Sequence, residues 1–130
     1  MSNYKRSIEL FQRALELKPK NESILYNLSN QYFLNKQFEK ALEGFERIIS
    51  KNPNASDAMY NAGYIILMLK SDYAKSRDYF NKVLRLDELN IDARFNLALA
   101  LTMNEEKEKA QKGRGRREGC GHRRSQGCYQ

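Results

Sequence analysis

One pattern returns along this chain at 34 residues and again at 35, and it involves residues of several chemical kinds at once. Tyr26, Tyr60 and Phe95 form one series, Asn27, Asn61 and Asn96 the next, and Ser29, Gly63 and Ala98 place a small residue at the same step each time. Phe11, Phe45 and Phe80 share the spacing, as do Ala14, Ile48 and Val83, and Leu15, Ile49 and Leu84. Pro19 and Pro53 match as well, while Glu88 stands where a third proline would fall. The additional residue of the longer period falls between Gly63 and Phe80, most simply in the turn near Ser71. Units this short cannot bury an apolar face alone, so they must stack on one another.

Inside each unit the apolar residues recur at three and four, as in Ile8, Phe11, Ala14, Leu15 and again in Leu42, Phe45, Ile48, Ile49. That is the period of an amphipathic helix. Proline, asparagine and aspartate interrupt it at Lys18-Pro19-Lys20-Asn21, Asn35-Lys36-Gln37, Lys51-Asn52-Pro53-Asn54, Lys70-Ser71-Asp72 and Leu86-Asp87-Glu88-Leu89-Asn90. Such residues stop one helix and cap another. The spacing predicts an all-α chain of about six helices, at roughly 3–17, 22–35, 38–51, 56–70, 73–86 and 91–111. Ser29, Gly63, Ala98 and Ala41 are small where antiparallel helices approach to roughly 8–10 Å. Phe11, Phe45 and Phe80 fill the space between one unit and its neighbour.

The segment Leu25-Tyr26-Asn27-Leu28-Ser29-Asn30-Gln31-Tyr32 on a first helix, Phe38-Glu39-Lys40-Ala41-Leu42-Glu43-Gly44-Phe45 on a second, and the closing Asn52-Pro53-Asn54 resemble the tetratricopeptide repeat. The resemblance covers residues 4 to 110 and implies an α-α superhelix of stacked antiparallel hairpins. Residues 4–21 would be a partial repeat, 22–55 and 56–90 whole repeats, and 91–110 the first helix of a truncated one. The departures are Ser76 where the family usually has alanine, Glu88 for proline, and the inserted residue.

The resemblance also implies that first helices line a shared groove, with Asn27, Asn61 and Asn96 facing inward. An amide there offers two donors and an acceptor to the backbone of a bound protein or extended peptide. Tyr26, Tyr60 and Phe95 lie beside that row, with Asn30 and Tyr64 one turn along, an arrangement suited to a semi-apolar, neutral ligand. Asparagine could instead brace the neighbouring helix, and aromatics at helical spacing could be core. The positions that would carry cations in relatives gripping an acidic carboxyl terminus hold Tyr26, Asp92 and a further asparagine, which argues against that specialised use.

Composition narrows the remaining classes. Residues 1–110 carry 17 Lys and Arg against 15 Asp and Glu, and residues 111–130 carry 6 against 1, so the net charge of +7 belongs mostly to the tail. The near-neutral body offers little attraction for phosphates, and nucleic acid is expected only through the tail. The one histidine, His122, and both cysteines, Cys120 and Cys128, lie in the tail. The body therefore has no catalytic constellation, and neither enzymatic chemistry nor a cofactor is expected. Its apolar runs are too short to span a membrane, and the amino terminus lacks a secretory core, so a soluble, cytoplasmic protein is expected.

After Ala110 the periodicity ends, and Gly113, Gly115, Gly119, Gly121 and Gly127 fall among arginines. That composition predicts disorder, or helix only near its start. Three readings of residues 111–130 stay open: a metal site of Cys120, His122 and Cys128, an RNA-associated adaptor segment, or a shifted reading frame or alternative splice that replaces the helix the repeat calls for. The first and last helices would each lack a hairpin mate, which predicts fraying or homo-oligomerisation through them.

Overall fold

The computed structural model describes the backbone of residues 2–120 and the side chains of residues 3–113. Six α-helices follow one another: α1 Ser2–Leu17, α2 Glu22–Leu34, α3 Phe38–Lys51, α4 Ser56–Ile65, α5 Tyr73–Leu86 and α6 Ile91–Cys120, with a π-helical turn, Ile66–Lys70, continuing α4. Each packs on the next in sequence, so α2 with α3 and α4 with α5 are hairpins, α1 precedes the first, and α6 follows the second. Among the described residues there is no strand, and no helix is long and apolar enough to cross a membrane.

Local chemistry sets these boundaries. Side chains of Asn21, Asp72 and Asn90 accept hydrogen bonds from the backbone N–H of Ile24 (3.0 Å), Lys75 (3.2 Å) and Ala93 (2.9 Å), which caps α2, α5 and α6. The first helix of each hairpin ends at a residue in the left-handed region, Lys36 at φ 63° and Ser71 at φ 53°. Asn52 closes α3 and donates to the Glu22 carboxylate at 3.0 Å, tying the exit of one helix to the entrance of the helix before it.

The core is built around phenylalanines. Phe45 and Phe80 are fully buried, and each meets a tyrosine of its own hairpin edge-on: Tyr26 at 5.7 Å and Tyr60 at 5.8 Å between ring centroids. Full burial of such a ring contributes roughly 1.5–3 kcal/mol. Each hairpin closes over a glycine. A Cβ on Gly44 would lie 1.9 Å from Ser29 Oγ, and a Cβ on Gly63 would lie 3.2 Å from both the Phe80 ring and Tyr79 Cβ. The small series therefore works as a pair across each hairpin: Ser29 faces Gly44 in the first, and Gly63 faces Tyr79 in the second.

Two expectations need correction. The extra residue of the longer repeat is not in the turn at Ser71. Helix α4 starts 34 residues after α2, whereas the left-handed Ser71 lies 35 after Lys36, so the insertion precedes the turn and is absorbed as the π-helical turn Ile66–Lys70. A π turn holds one more residue than an α turn. It lets Ile65, Ile66 and Leu67, three consecutive residues, all be about 1% exposed.

The second correction concerns the start of the Gly/Arg-rich segment. Helix α6 does not stop near 111 but runs to Cys120. Apolar burial was the criterion for ending it, yet a helix satisfies its backbone by local hydrogen bonds, and Glu, Lys, Gln and Arg are good helix formers. Lys107 also places its ammonium over the Tyr73 ring of α5 at 5.8 Å, so α6 stays in contact beyond Met103, its last large apolar residue among those described. A Cβ on Gly113 would meet nothing within 4 Å, so packing does not require that glycine.

Gly63→Leu is expected to lower unfolding free energy by about 1–3 kcal/mol through overpacking against Phe80 and Tyr79. Urea denaturation followed by circular dichroism checks this, and an unchanged midpoint would show that the hairpin is not closed there.

Candidate partner-binding face

Helices α2, α4 and α6 present corresponding positions side by side, and hydrogen bonds between tyrosine and asparagine link them. The Asn61 amide of α4 donates to the Tyr26 hydroxyl of α2 at 3.1 Å, and the Asn96 amide of α6 donates to the Tyr60 hydroxyl of α4 at 2.9 Å. Two repeating rows of the sequence thus meet diagonally, the asparagine of one unit bracing the tyrosine of the unit before. The resemblance turns the asparagines toward a ligand, with bracing of a neighbouring helix as the alternative. The structure commits one N–H of Asn61 and one of Asn96 to the scaffold, and Asn96 is only 5% exposed.

The remaining assigned residues are distributed unevenly. Asn27 is exposed, and its amide donates to its own helix at Ser23 O, 3.0 Å away. Asn30 and Tyr64 are partly buried, Tyr64 packing edge-on against Phe33 at 6.0 Å. Phe95 is 68% exposed and has no hydroxyl with which to continue the bracing row. Of the eight residues, Tyr26, Tyr60 and Asn61 come together around one cleft of about 140 Å³, where they are joined by Asp57, Asn90 and Asp92. A second cleft of about 360 Å³, lined by residues including Glu22, Ser23, Ile48 and Ala58, shares Tyr26 and Asp57 with the first.

The acidic members were not among the sequence-assigned residues, although the signal was present. Ser23, Asp57 and Asp92 recur at 34 and 35 residues, one turn before the asparagine row. A carboxylate in the first turn also complements the helix dipole, which is a structural reason for aspartate at those two places. Among the described residues lining the two clefts, Glu22, Asp57 and Asp92 are acidic and none is basic. The field reaches the tyrosine. Burial foremost, then the Asp92 carboxylate, push the Tyr60 phenol above its ordinary value of 10.0, the Asn96 hydrogen bond pulls the other way, and Tyr64 adds a further rise.

Among the described residues no three His, Cys, Asp or Glu side chains gather in a way that could hold a metal. The tail reading of Cys120, His122 and Cys128 as metal ligands lies outside the residues whose side chains are described.

Tyr60→Phe should cost about 1–2 kcal/mol, because it leaves a buried Asn96 donor unpaired. A double-mutant cycle with Asn96→Ala measures the coupling, and additivity within error would refute the brace. A phenol whose folded pKa is raised contributes stability that is full below its unfolded value and is lost as pH rises through the folded one. The drop in urea midpoint between about pH 9 and about pH 11 should therefore be smaller in Tyr60→Phe than in the parent.

Comparison with known proteins adds lineage to this geometry. A family profile described as tetratricopeptide repeat matches residues 1–62. The chain is 29% identical over 107 residues to anaphase-promoting complex subunit 3 of Schizosaccharomyces pombe, covering 82% of this chain and 16% of that protein. It is 28% identical over 88 residues to human protein O-mannosyl-transferase TMTC1, covering 65% of this chain and 10% of that protein. The chain thus spans only a small part of either relative. Among solved structures, the first TPR of Spaghetti (RPAP3) bound to the HSP90 peptide SRMEEVD superposes with a TM-score of 0.72 at 20% identity, covering 78% of this chain and 79% of that one.

Proposed function

The chain belongs to the tetratricopeptide repeat family, and we propose that it acts as a protein-interaction module holding an extended segment of a partner across the face formed by α2, α4 and α6. The observation that carries this reading is the pair of adjoining clefts that share Tyr26 and Asp57. Partly buried tyrosine rings give the trough an apolar floor, and the second N–H and the carbonyl of the Asn61 amide are left for a peptide backbone. Glu22, Asp57 and Asp92 at the rim select the partner's charge: a neutral to basic segment is favoured, and an acidic carboxyl terminus would meet repulsion without compensating cations. The solved structure of like fold carries the peptide SRMEEVD, whereas the carboxylates of this face favour a ligand of the opposite charge.

The module performs no chemistry of its own. The match to the O-mannosyl-transferase spans 10% of that protein and carries no reaction over to this chain. An RNA-associated adaptor acting through the basic tail has no support in the relatives and the structure compared above.

The test is selection of extended peptides from a displayed library on the immobilised full chain, followed by fluorescence anisotropy with the enriched sequences. They should be neutral to basic, and the double substitution Asp57→Lys, Asp92→Lys should weaken them about tenfold or more, as expected for loss of charge-assisted contacts. Enrichment of acidic carboxyl-terminal sequences, or affinity indifferent to the double substitution, would refute the proposal.

A further inference from the structure

Helix α6 has the register of a first helix, since Phe95 and Ala98 correspond to Tyr60 and Gly63 and to Tyr26 and Ser29. Helix α1 has the register of a second helix, since Leu10 and Phe11 correspond to Gly44 and Phe45 and to Tyr79 and Phe80. The two ends of the described fold are therefore the complementary halves of one hairpin. The exposures fit that description. Phe45 and Phe80 are fully buried, whereas Phe11 is partly exposed and Leu10 beside it is 51% exposed. Tyr26 and Tyr60 are partly buried, whereas Phe95 is 68% exposed, with Ile91 at 79% and Ala98 also exposed on the same helix. Where the repeat calls for a mate to α6, the chain instead continues α6 itself to Cys120.

We propose that a second copy of this chain supplies the half that is not among the described residues: α1 of one copy packs on α6 of another and completes a hairpin. The internal hairpins set the register. Phe11 seats edge-on against Phe95 as Phe45 does against Tyr26 and Phe80 against Tyr60, and Leu10 lies over Ala98 as Tyr79 lies over Gly63. This junction has no glycine. At Gly63 an added Cβ would already lie 3.2 Å from Tyr79 Cβ, so Ala98 and Leu10 must move apart by a few tenths of an ångström. The junction is accordingly looser than the internal hairpins, and association requires high protein concentration.

The bracing row makes the same prediction from a different set of atoms. Stacking a second copy sets its Asn27 against Phe95 as Asn61 is set against Tyr26 and Asn96 against Tyr60. Asn27 has an exposed side chain bonded only within its own helix, and Phe95 lacks the hydroxyl that would accept from it. One atom is missing from the junction. Because each copy carries one α1 face and one α6 face, the contact is head-to-tail and propagates into linear assemblies.

Sedimentation equilibrium of the full chain from about 5 to about 500 μM should show an average mass that rises with concentration and passes two chains. Phe95→Glu and Leu10→Glu alter exposed side chains, and each variant alone should remain a single chain. Mixed, they should form pairs and nothing larger, since the first retains an intact α1 face and the second an intact α6 face. Phe95→Tyr, which supplies the absent hydroxyl, should tighten association about 2- to 10-fold. A single-chain mass throughout for the parent, self-association by Leu10→Glu alone, or no tightening by Phe95→Tyr would each overturn the head-to-tail register.

Discussion

The stack depends on one contact made in each hairpin: the ring of Phe45 or Phe80, driven between helices that approach most closely where a glycine stands. Remove the ring and the unit loses its largest buried side chain; replace the glycine and the helices must move apart. Because the ring meets a tyrosine of its own first helix while neighbouring helices supply the rest of the enclosure, local pairing and stacking are stabilised together. The apolar clusters reflect that sharing. One joins α3 to α4 through Phe45, Ile48 and Ala58, and the other joins α4 to α5 and α6 through Met59, Phe80 and Ala93.

Polar rows laid over this core differ in what they do for the scaffold. Tyrosine and asparagine, which look like binding groups when counted along a helix, satisfy one another across units and hold first helices in register. Among the described residues, the carboxylates of Asp57 and Asp92 one turn earlier have no such partner, and both side chains are exposed. Chemical character at the face is therefore set less by the residues the family pattern emphasises than by a row beside them.

The sequence was most legible where the chain's behaviour is local. Five of the six carboxyl-terminal helix ends, counting α4 with its π-helical turn to Lys70, fall within a residue or so of the periodicity, because proline, asparagine and aspartate act within a turn of where they stand. Diagonal pairing of Asn61 with Tyr26 was not legible, since the two are 35 residues apart and each has its own repeating row. Only a three-dimensional neighbour distinguishes a brace from a ligand contact. The end of α6 was misplaced for a different reason: the absence of apolar periodicity measures loss of packing, whereas a helix of Lys, Glu and Arg can persist without it. Asp57 and Asp92 form a series in the sequence, but a carboxylate in the first turn of a helix is accounted for by the dipole alone, so the series by itself does not point to a cleft.

The π-helical turn at Ile66–Lys70 means that a unit can gain a residue while neither of its connections grows longer. The surplus is taken up inside a helix, where it rotates the last turn and advances everything downstream by one place. Spacing counted between helix starts and spacing counted between left-handed turn residues then disagree by one within the same unit. Loops are the usual place to look for changes of length in a repeated architecture; here the change is carried by the part of the unit that appears most regular.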